Sequence, residues 1–321
     1  MPRPGADTVI AFVFPGQGSQ KPGMGKDFHE QFAVAREAFA EASDALGLDL
    51  PALCFGEDPR LDLTEYTQPA ILTAEIAMVR VLARDFGLLA THFGGHSLGE
   101  YTALCAAGVL SLSTAVRLVR RRGALMQLAV PAGQGAMAAV VSEGVAARDL
   151  AAALDPLGVD VANENALDQV VLSGPAEAVQ RASALVPTLA QGKSCRVVPL
   201  NVSAPFHSRA MKGIEAEFQA LLEEAELDPA RAAVVTSNYT GRLHEPARAR
   251  VIDALTRQIS GTVRWIANMR VLADAAGALY EVGPSRVLRG FFAGLGREVP
   301  SLTSVRTVEK ALGEAASRQA T

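Results

Sequence analysis

Residues 93–103 read "FGGHSLGEYTA" and hold one serine in a Gly-x-Ser-x-Gly frame: Gly95, His96, Ser97, Leu98, Gly99. Two readings compete for Ser97. With Glu100 it forms Ser-x-x-Glu, a capping box in which serine and glutamate satisfy the free N–H groups at a helix start. Behind a strand-like lead-in, the same frame fits a nucleophile elbow, a sharp strand-to-helix turn that exposes the hydroxyl. On either reading Tyr101 to Ala107 is helical and Gly108 ends the helix.

Outward from this turn, strand-like and helix-like segments alternate, the pattern of an α/β layer architecture. "TVIAFVF" (8–14) is a continuous apolar run of buried-strand length. Helical regions are expected from Phe28 to Leu46, Gln68 to Phe86 and Ser113 to Ala129. From Gly135 to Val202 the rhythm changes. "AMAAVVS" reads as strand, "VAARDLAAALDPL" as helix, "VDVANENA" and "QVVLSG" as two strands, "PAEAVQRASALVPTLA" as helix and "SCRVVPLNV" as strand. That β-α-β-β-α-β order is a split-βαβ, ferredoxin-like unit inserted in a larger domain. The expected division is 1–130 with 203–321 for the large domain and 131–202 for the insertion. "GALYEVGPSRVLRGFF" gives a last strand, turn and helix, and the polar tail after Arg306 suggests a frayed helix or tag-like extension.

Composition narrows the function classes. The chain has 321 residues, 49% hydrophobic and 20% charged, with net charge −4. That balance argues against a nucleic-acid surface, which is normally basic. Cys54, Cys105 and Cys195 are scattered, with no Cys-x-x-Cys pair, so neither a metal site nor a disulfide framework is expected. No apolar stretch approaches a membrane span, and the apolar run at Val9 to Phe14 is too short for a signal peptide. A soluble, cytoplasmic protein without membrane or nucleic-acid partners is expected.

Six segments read together are more specific: "FVFPGQGSQ" (12–20), "YTQPA" (66–70), "GHSLGEY" (95–101), "RLVRRRG" (117–123), "APFHS" (204–208) and "LYEVGPSRVL" (279–288). In order and spacing they resemble malonyl-CoA:acyl-carrier-protein transacylases and the acyltransferase domains of fatty-acid and polyketide synthases, from residue 9 to 305. The resemblance implies an α/β-hydrolase-like large domain with a ferredoxin-like small one. It also implies transfer of a malonyl group from malonyl-CoA to the phosphopantetheine thiol of an acyl carrier protein, through an acyl-serine and without a cofactor.

Residue by residue, Ser97 is then the nucleophile, which needs a base to take its proton. Of five histidines, His96 is expected to be structural because neighbouring side chains at such a turn point apart. His29 and His244 read as surface residues, and His92 has no assigned role. A histidine in a loop such as that of His207 is more often structural; its match to the family motif makes it the general base. No aspartate partner is evident, and the resemblance supplies instead a carbonyl from Gln258, whose bland reading is a glutamine capping something local. "FPGQGSQ" lacks the ending of a phosphate loop. The resemblance makes the N–H of Gln17 one oxyanion donor, and elbow geometry makes the N–H of Leu98 the other.

The three arginines of "RLVRRRG" cannot share one helix face, since each residue turns by about 100°. Arg122 has Leu118, Val119, Leu125 and Met126 three and four residues away, so it lies on the core stripe. One explanation is an internal ion pair with a protein carboxylate. The other, from the resemblance, is that Arg122 binds the substrate carboxylate, for which a planar guanidinium suits a bidentate fork. An acetyl group would leave that charge buried and unpaired at a cost of roughly 3–5 kcal/mol. Phe206 resembles the residue of malonyl-type rather than methylmalonyl-type domains. Gln68 either lines the pocket or caps the following helix. Arg117, Arg120 and Arg121, with Lys193, Arg196, Arg209 and Lys212, form a candidate docking surface for an acidic carrier. Rival readings are an editing acyl-carrier hydrolase, the malonyltransferase of a malonate decarboxylase system, a transferase for methylmalonyl or larger groups, and a non-catalytic docking protein.

Overall fold

The first strand, β1 (Ile10–Phe14), is apolar throughout because both of its faces are buried. Ile10, Phe12 and Phe14 enter the main core, whereas Ala11 and Val13 point the other way, into a second cluster with Trp265, Met269 and Phe292. The computed structural model describes residues 8–319, apart from 132, 148–149, 190–193 and 203.

Four helices follow: α1 (Lys26–Gln31), α2 (Ala33–Leu46), α3 (Leu50–Phe55) and α4 (Thr64–Arg84). The single helix expected over 28–46 is broken at Phe32, whose extended backbone (φ −123°, ψ 129°) separates α1 from α2. Then come β2 (His92–Gly95), α5 (Leu98–Ala106) and α6 (Leu112–Leu128). The middle of the chain holds β3 (Gly135–Ser142), α7 (Leu150–Leu154), β4 (Asp160–Ala166), β5 (Gln169–Pro175), α8 (Ala176–Leu189) and β6 (Cys195–Pro199). Helix α7 is shorter than expected. Pro156 disfavours helical backbone at Asp155, and residues 155–157 form a tighter turn ended by left-handed Gly158. The last part comprises α9 (Glu215–Glu224), β7 (Thr236–Ser237), β8 (Arg242–Leu243), α10 (Arg248–Gln258), α11 (Trp265–Ala275), β9 (Ala278–Val282), α12 (Val287–Ala293), β10 (Ser301–Leu302) and α13 (Val305–Gln319).

These elements form a mixed α/β protein with two four-stranded sheets. The first is parallel, in the order β10-β9-β1-β2, with Phe14 level with Gly95 and Val13 with Glu281. Its carboxyl-terminal edge is where an open parallel sheet normally binds a ligand. The second is antiparallel, in the order β4-β5-β3-β6, over its own core of Val140, Leu154, Leu172 and Ala182. The two units are stitched by main-chain bonds: Val263 N–H donates to the Ala162 carbonyl (2.8 Å) and Glu164 N–H to that of Val263 (3.0 Å).

Of the two expectations for the C-terminal tail, helix and tag-like extension, a helix is found, and its first turns are docked on the fold. Helix α13 buries Val308 and Leu312, and its Val305 N–H donates to Asp27 (2.7 Å). Among the described residues no helix is long and apolar enough to cross a membrane, and no group of His, Cys, Asp or Glu is placed to hold a metal ion.

Candidate active site

Strand β2 ends at Gly95, beside the end of β1, and the chain turns at Ser97 into α5. The turn is tight enough to require glycine on both sides. A Cβ on Gly95 would collide with the Gly99 backbone, and one on Gly99 with the Phe14 carbonyl. Ser97 itself sits at φ 53°, ψ −101°. Only one other non-glycine residue among those described has positive φ, and it is His207 at 56°. Backbone in this region costs a non-glycine residue about 1–3 kcal/mol and is held only where surrounding contacts over-determine it.

The capping box is not formed. Ser97 precedes α5, but its side chain caps no N–H of that helix. Its Oγ lies 2.7 Å from His207 Nε2. On the far side of the ring, His207 Nδ1 is 2.8 Å from the main-chain carbonyl of Gln258. A carbonyl only accepts, so Nδ1 carries the proton and Nε2 is the free lone pair facing the serine hydroxyl. Burial, and next the neighbouring Arg122 guanidinium, push the His207 pKa down to about 3. The imidazole is therefore neutral at pH 7, the form that can take a proton.

Arg122, on α6, is 1% exposed, and no carboxylate among the described residues pairs with it. Its Nη1 donates to Gln68 Oε1 (3.0 Å), and its Nη2 to Gln258 Oε1 (2.9 Å) and Ser97 Oγ (3.1 Å). The guanidinium lies over the Tyr101 ring, 5.2 Å from its centroid, while Nε has no partner. Burial lowers its pKa. Gln68 lies inside α4, which begins four residues earlier at Thr64, so it does not cap that helix. Instead its amide holds the arginine.

A cavity of about 660 Å³ opens above these groups. Its walls include Gln17, Leu98, Arg122, Met126 and Phe206 from the parallel-sheet unit, and Met137, Asn163, Asn165 and Val171 from the other. Leu98 is the first residue of α5, where an N–H has no partner within the helix. Gln17 follows β1 on the cavity wall, and its side-chain Nε2 donates to Thr64 Oγ1 (3.1 Å). His96 turns away from Ser97, with Nε2 2.8 Å from Asn165 Oδ1.

Several residues were invisible or misjudged in the sequence. His244, read as a surface residue, is 4% exposed, with Nε2 2.8 Å from Glu100 Oε1. His29 is half-buried, its ring edge-on to Phe39 and Phe55. Asn238 carries no signal in the sequence, yet its Oδ1 accepts the Ser97 N–H (2.6 Å) and its Nδ2 donates to the Gly95 carbonyl (2.8 Å) and Asn268 Oδ1 (3.1 Å). The one local hint was Glu100, a charged residue on an otherwise apolar helix. The basic docking surface is largely neutralised: Arg120 pairs with Glu65, Arg121 with Glu217, Arg209 with Asp155 and Asp160, and Lys212 with Glu215. Arg196 lies exposed on β6, and Lys193 falls outside the described residues.

Comparison with known proteins accords with this geometry. Residues 11–304 match the acyl transferase domain family. The malonyl CoA-acyl carrier protein transacylase of Salmonella typhimurium is 40% identical over 316 residues, 97% of this chain and 100% of its own. The crystal structure of the enzyme of that name from Clostridium perfringens superposes with TM-score 0.89 at 31% identity, covering 97% of this chain and 98% of its own. A malonyl-transacylase solved in complex with its type II PKS acyl-carrier protein superposes with TM-score 0.88 at 36% identity, covering 96% of this chain and 100% of its own.

Proposed function

The chain belongs to the acyl transferase domain family, and from that premise we propose that it is an enzyme moving a malonyl group from coenzyme A to the phosphopantetheine thiol of an acyl carrier protein. In this reading Ser97 Oγ attacks the thioester carbonyl while His207 Nε2 takes its proton. The main-chain N–H groups of Gln17 and Leu98 hold the oxyanion; one such donor is worth roughly 3–4 kcal/mol in the transition state. The tetrahedral intermediate collapses, His207 returns the proton to the departing coenzyme A sulfur, and malonyl-Ser97 remains. The carrier thiol then attacks the same carbonyl, its proton passing through His207 to Ser97. Gln258 orients His207 through its main-chain carbonyl.

The observation that carries the malonyl assignment is Arg122, a buried guanidinium 3.1 Å from Ser97 Oγ without a carboxylate of its own. A malonyl carboxylate supplies the missing anion, while Gln68 steadies the guanidinium from the other side. Phe206 lies on the cavity wall, and we read its ring as the feature that favours malonyl over the bulkier methylmalonyl. We read the two units as an α/β-hydrolase-like domain, 1–130 with 203–321, and a ferredoxin-like insertion, 131–202. The β4-β5-β3-β6 order supports the second name. We place the protein in the cytoplasm, where its free cysteines would stay reduced.

Intact-mass measurement after brief incubation with malonyl-CoA, acetyl-CoA and methylmalonyl-CoA in competition tests the reading. A malonyl adduct that is absent in Ser97→Ala is expected. Rapid release of free acid without an adduct would instead indicate a hydrolase, and no reaction with any donor would end the malonyl assignment.

A further inference from the structure

Glu100 is fully buried and lies three residues beyond the nucleophile, on the first turn of α5. Its Oε2 accepts the main-chain N–H of Asn238 (3.0 Å) and the side-chain Nε2 of Gln258 (2.7 Å). Its Oε1 accepts from His244 Nε2 (2.8 Å). These donors come from the turn after β7, the segment after β8 and the end of α10, so one carboxyl gathers three separate stretches of chain under the serine.

Two of these stretches in turn hold a reacting or binding group. Asn238 Oδ1 receives the Ser97 N–H, and its Nδ2 holds the Gly95 carbonyl. Gln258 binds at both ends of its amide. Nε2 also donates to the Ser97 carbonyl (3.0 Å), and Oε1 receives Arg122 Nη2. The main-chain carbonyl of Gln258 accepts His207 Nδ1–H. Glu100 thus stands one residue removed from the nucleophile turn, the base and the carboxylate-binding guanidinium together. The amide of Gln258 faces Arg122 with its oxygen because its nitrogen has acceptors behind it, the Ser97 carbonyl and, at the shorter distance, Glu100 Oε2.

We propose that Glu100 is the positioning residue that sets Ser97, His207 and Arg122 in register through Asn238 and Gln258. This rests on the transferase reading above. Removing its acceptor oxygen frees the Gln258 amide to flip, presenting N–H groups to Arg122 and slackening the carbonyl behind His207. Misplacement by about 1 Å is enough to cost on the order of 100-fold in rate.

The test uses the full chain with malonyl-CoA and a phosphopantetheinylated carrier. Glu100→Gln keeps the shape but sets an N–H group against the Gln258 or His244 donors. The expected result is a native circular-dichroism spectrum, a kcat lower by about 10- to 100-fold, and a KM for malonyl-CoA unchanged within about twofold. The malonyl-over-acetyl ratio should fall with kcat. Gln258→Met, which keeps the main-chain carbonyl but lacks the amide, should reproduce both losses, and the double variant should be no worse than Gln258→Met alone. A Glu100→Gln enzyme with wild-type kcat overturns the proposal, as do losses that multiply in the double variant. If Glu100→Gln fails to fold, Gln258→Met decides alone, and a wild-type kcat there overturns it. The wild-type control separates the two levels. Malonylated wild type with an unimpaired Glu100→Gln removes the positioning role only, whereas wild type that takes no malonyl group removes the transferase reading and this role with it.

Discussion

The floor beneath Ser97 and the cavity wall above it are both buried and both polar, yet they are completed to different degrees. In the floor, the side-chain polar atoms of Glu100, Asn238, Gln258 and Asn268 all have partners within the fold. In the wall, Arg122 keeps an unpartnered Nε and lacks an anion. A satisfied network gives one geometry; an incomplete one holds binding energy in reserve for whatever completes it. The difference teaches which buried polar groups serve rigidity and which await a ligand.

The largest effect that could break this contrast is on selectivity. Arg122→Met should lower the malonyl-over-acetyl ratio of Ser97 labelling by roughly two to four powers of ten. It should cost less stability than Asn238→Ala, because relief of a buried charge without an anion offsets the loss of a donor at Gln68 Oε1 and Gln258 Oε1. A marked loss of stability would mean that the arginine belongs with the floor after all. Next in size, Asn238→Ala should destabilise the fold by at least about 2 kcal/mol, since the Ser97 N–H and the Gly95 carbonyl lose their partner. Urea unfolding measures it, and a change near zero would show that the floor is not rigidly specified.

The third effect is the pH dependence. His207 has a native pKa of about 3 against an ordinary 6.5, from burial first and Arg122 second, and burial also lowers that of His96. Below pH 6.5 the unfolded chain therefore binds more protons than the native one. Stability is complete above pH 6.5 and declines as pH falls from there towards 3, with a slope of up to about 1.4 kcal/mol per pH unit for each group. Midpoints compared at pH 7 and 5 should show the decline, and Arg122→Met should lessen it by removing one cause of the His207 shift.

The wall was far more legible in the sequence than the floor. Ser97 and Leu98 could be read from a glycine-framed turn, and the inward direction of Arg122 from its neighbours at three and four residues, because both signals are local. His207, Gln17 and Gln258 needed resemblance, since nothing near them in the chain announces a partner. The floor was hidden twice over. Asn238 and His244 lie 138 and 144 residues beyond Glu100, and no periodicity reports on such pairings. Ser-x-x-Glu also invited a local explanation that the structure replaces with a tertiary one. The tail left both readings open: its few apolar positions, Val308 and Leu312, were enough to dock a helix whose composition looked solvated.

The group behind His207 is a carbonyl and not a carboxylate. With no anion to welcome its charge, and a guanidinium nearby to oppose it, the imidazole has little appetite for protons. Such a base distinguishes acceptors by how readily they give one up. A thiol, ordinarily ionising near pH 8.5, parts with its proton far more easily than water. In the proposed reaction the thiol of the carrier is therefore the acceptor best matched to this base once an acyl group sits on Ser97.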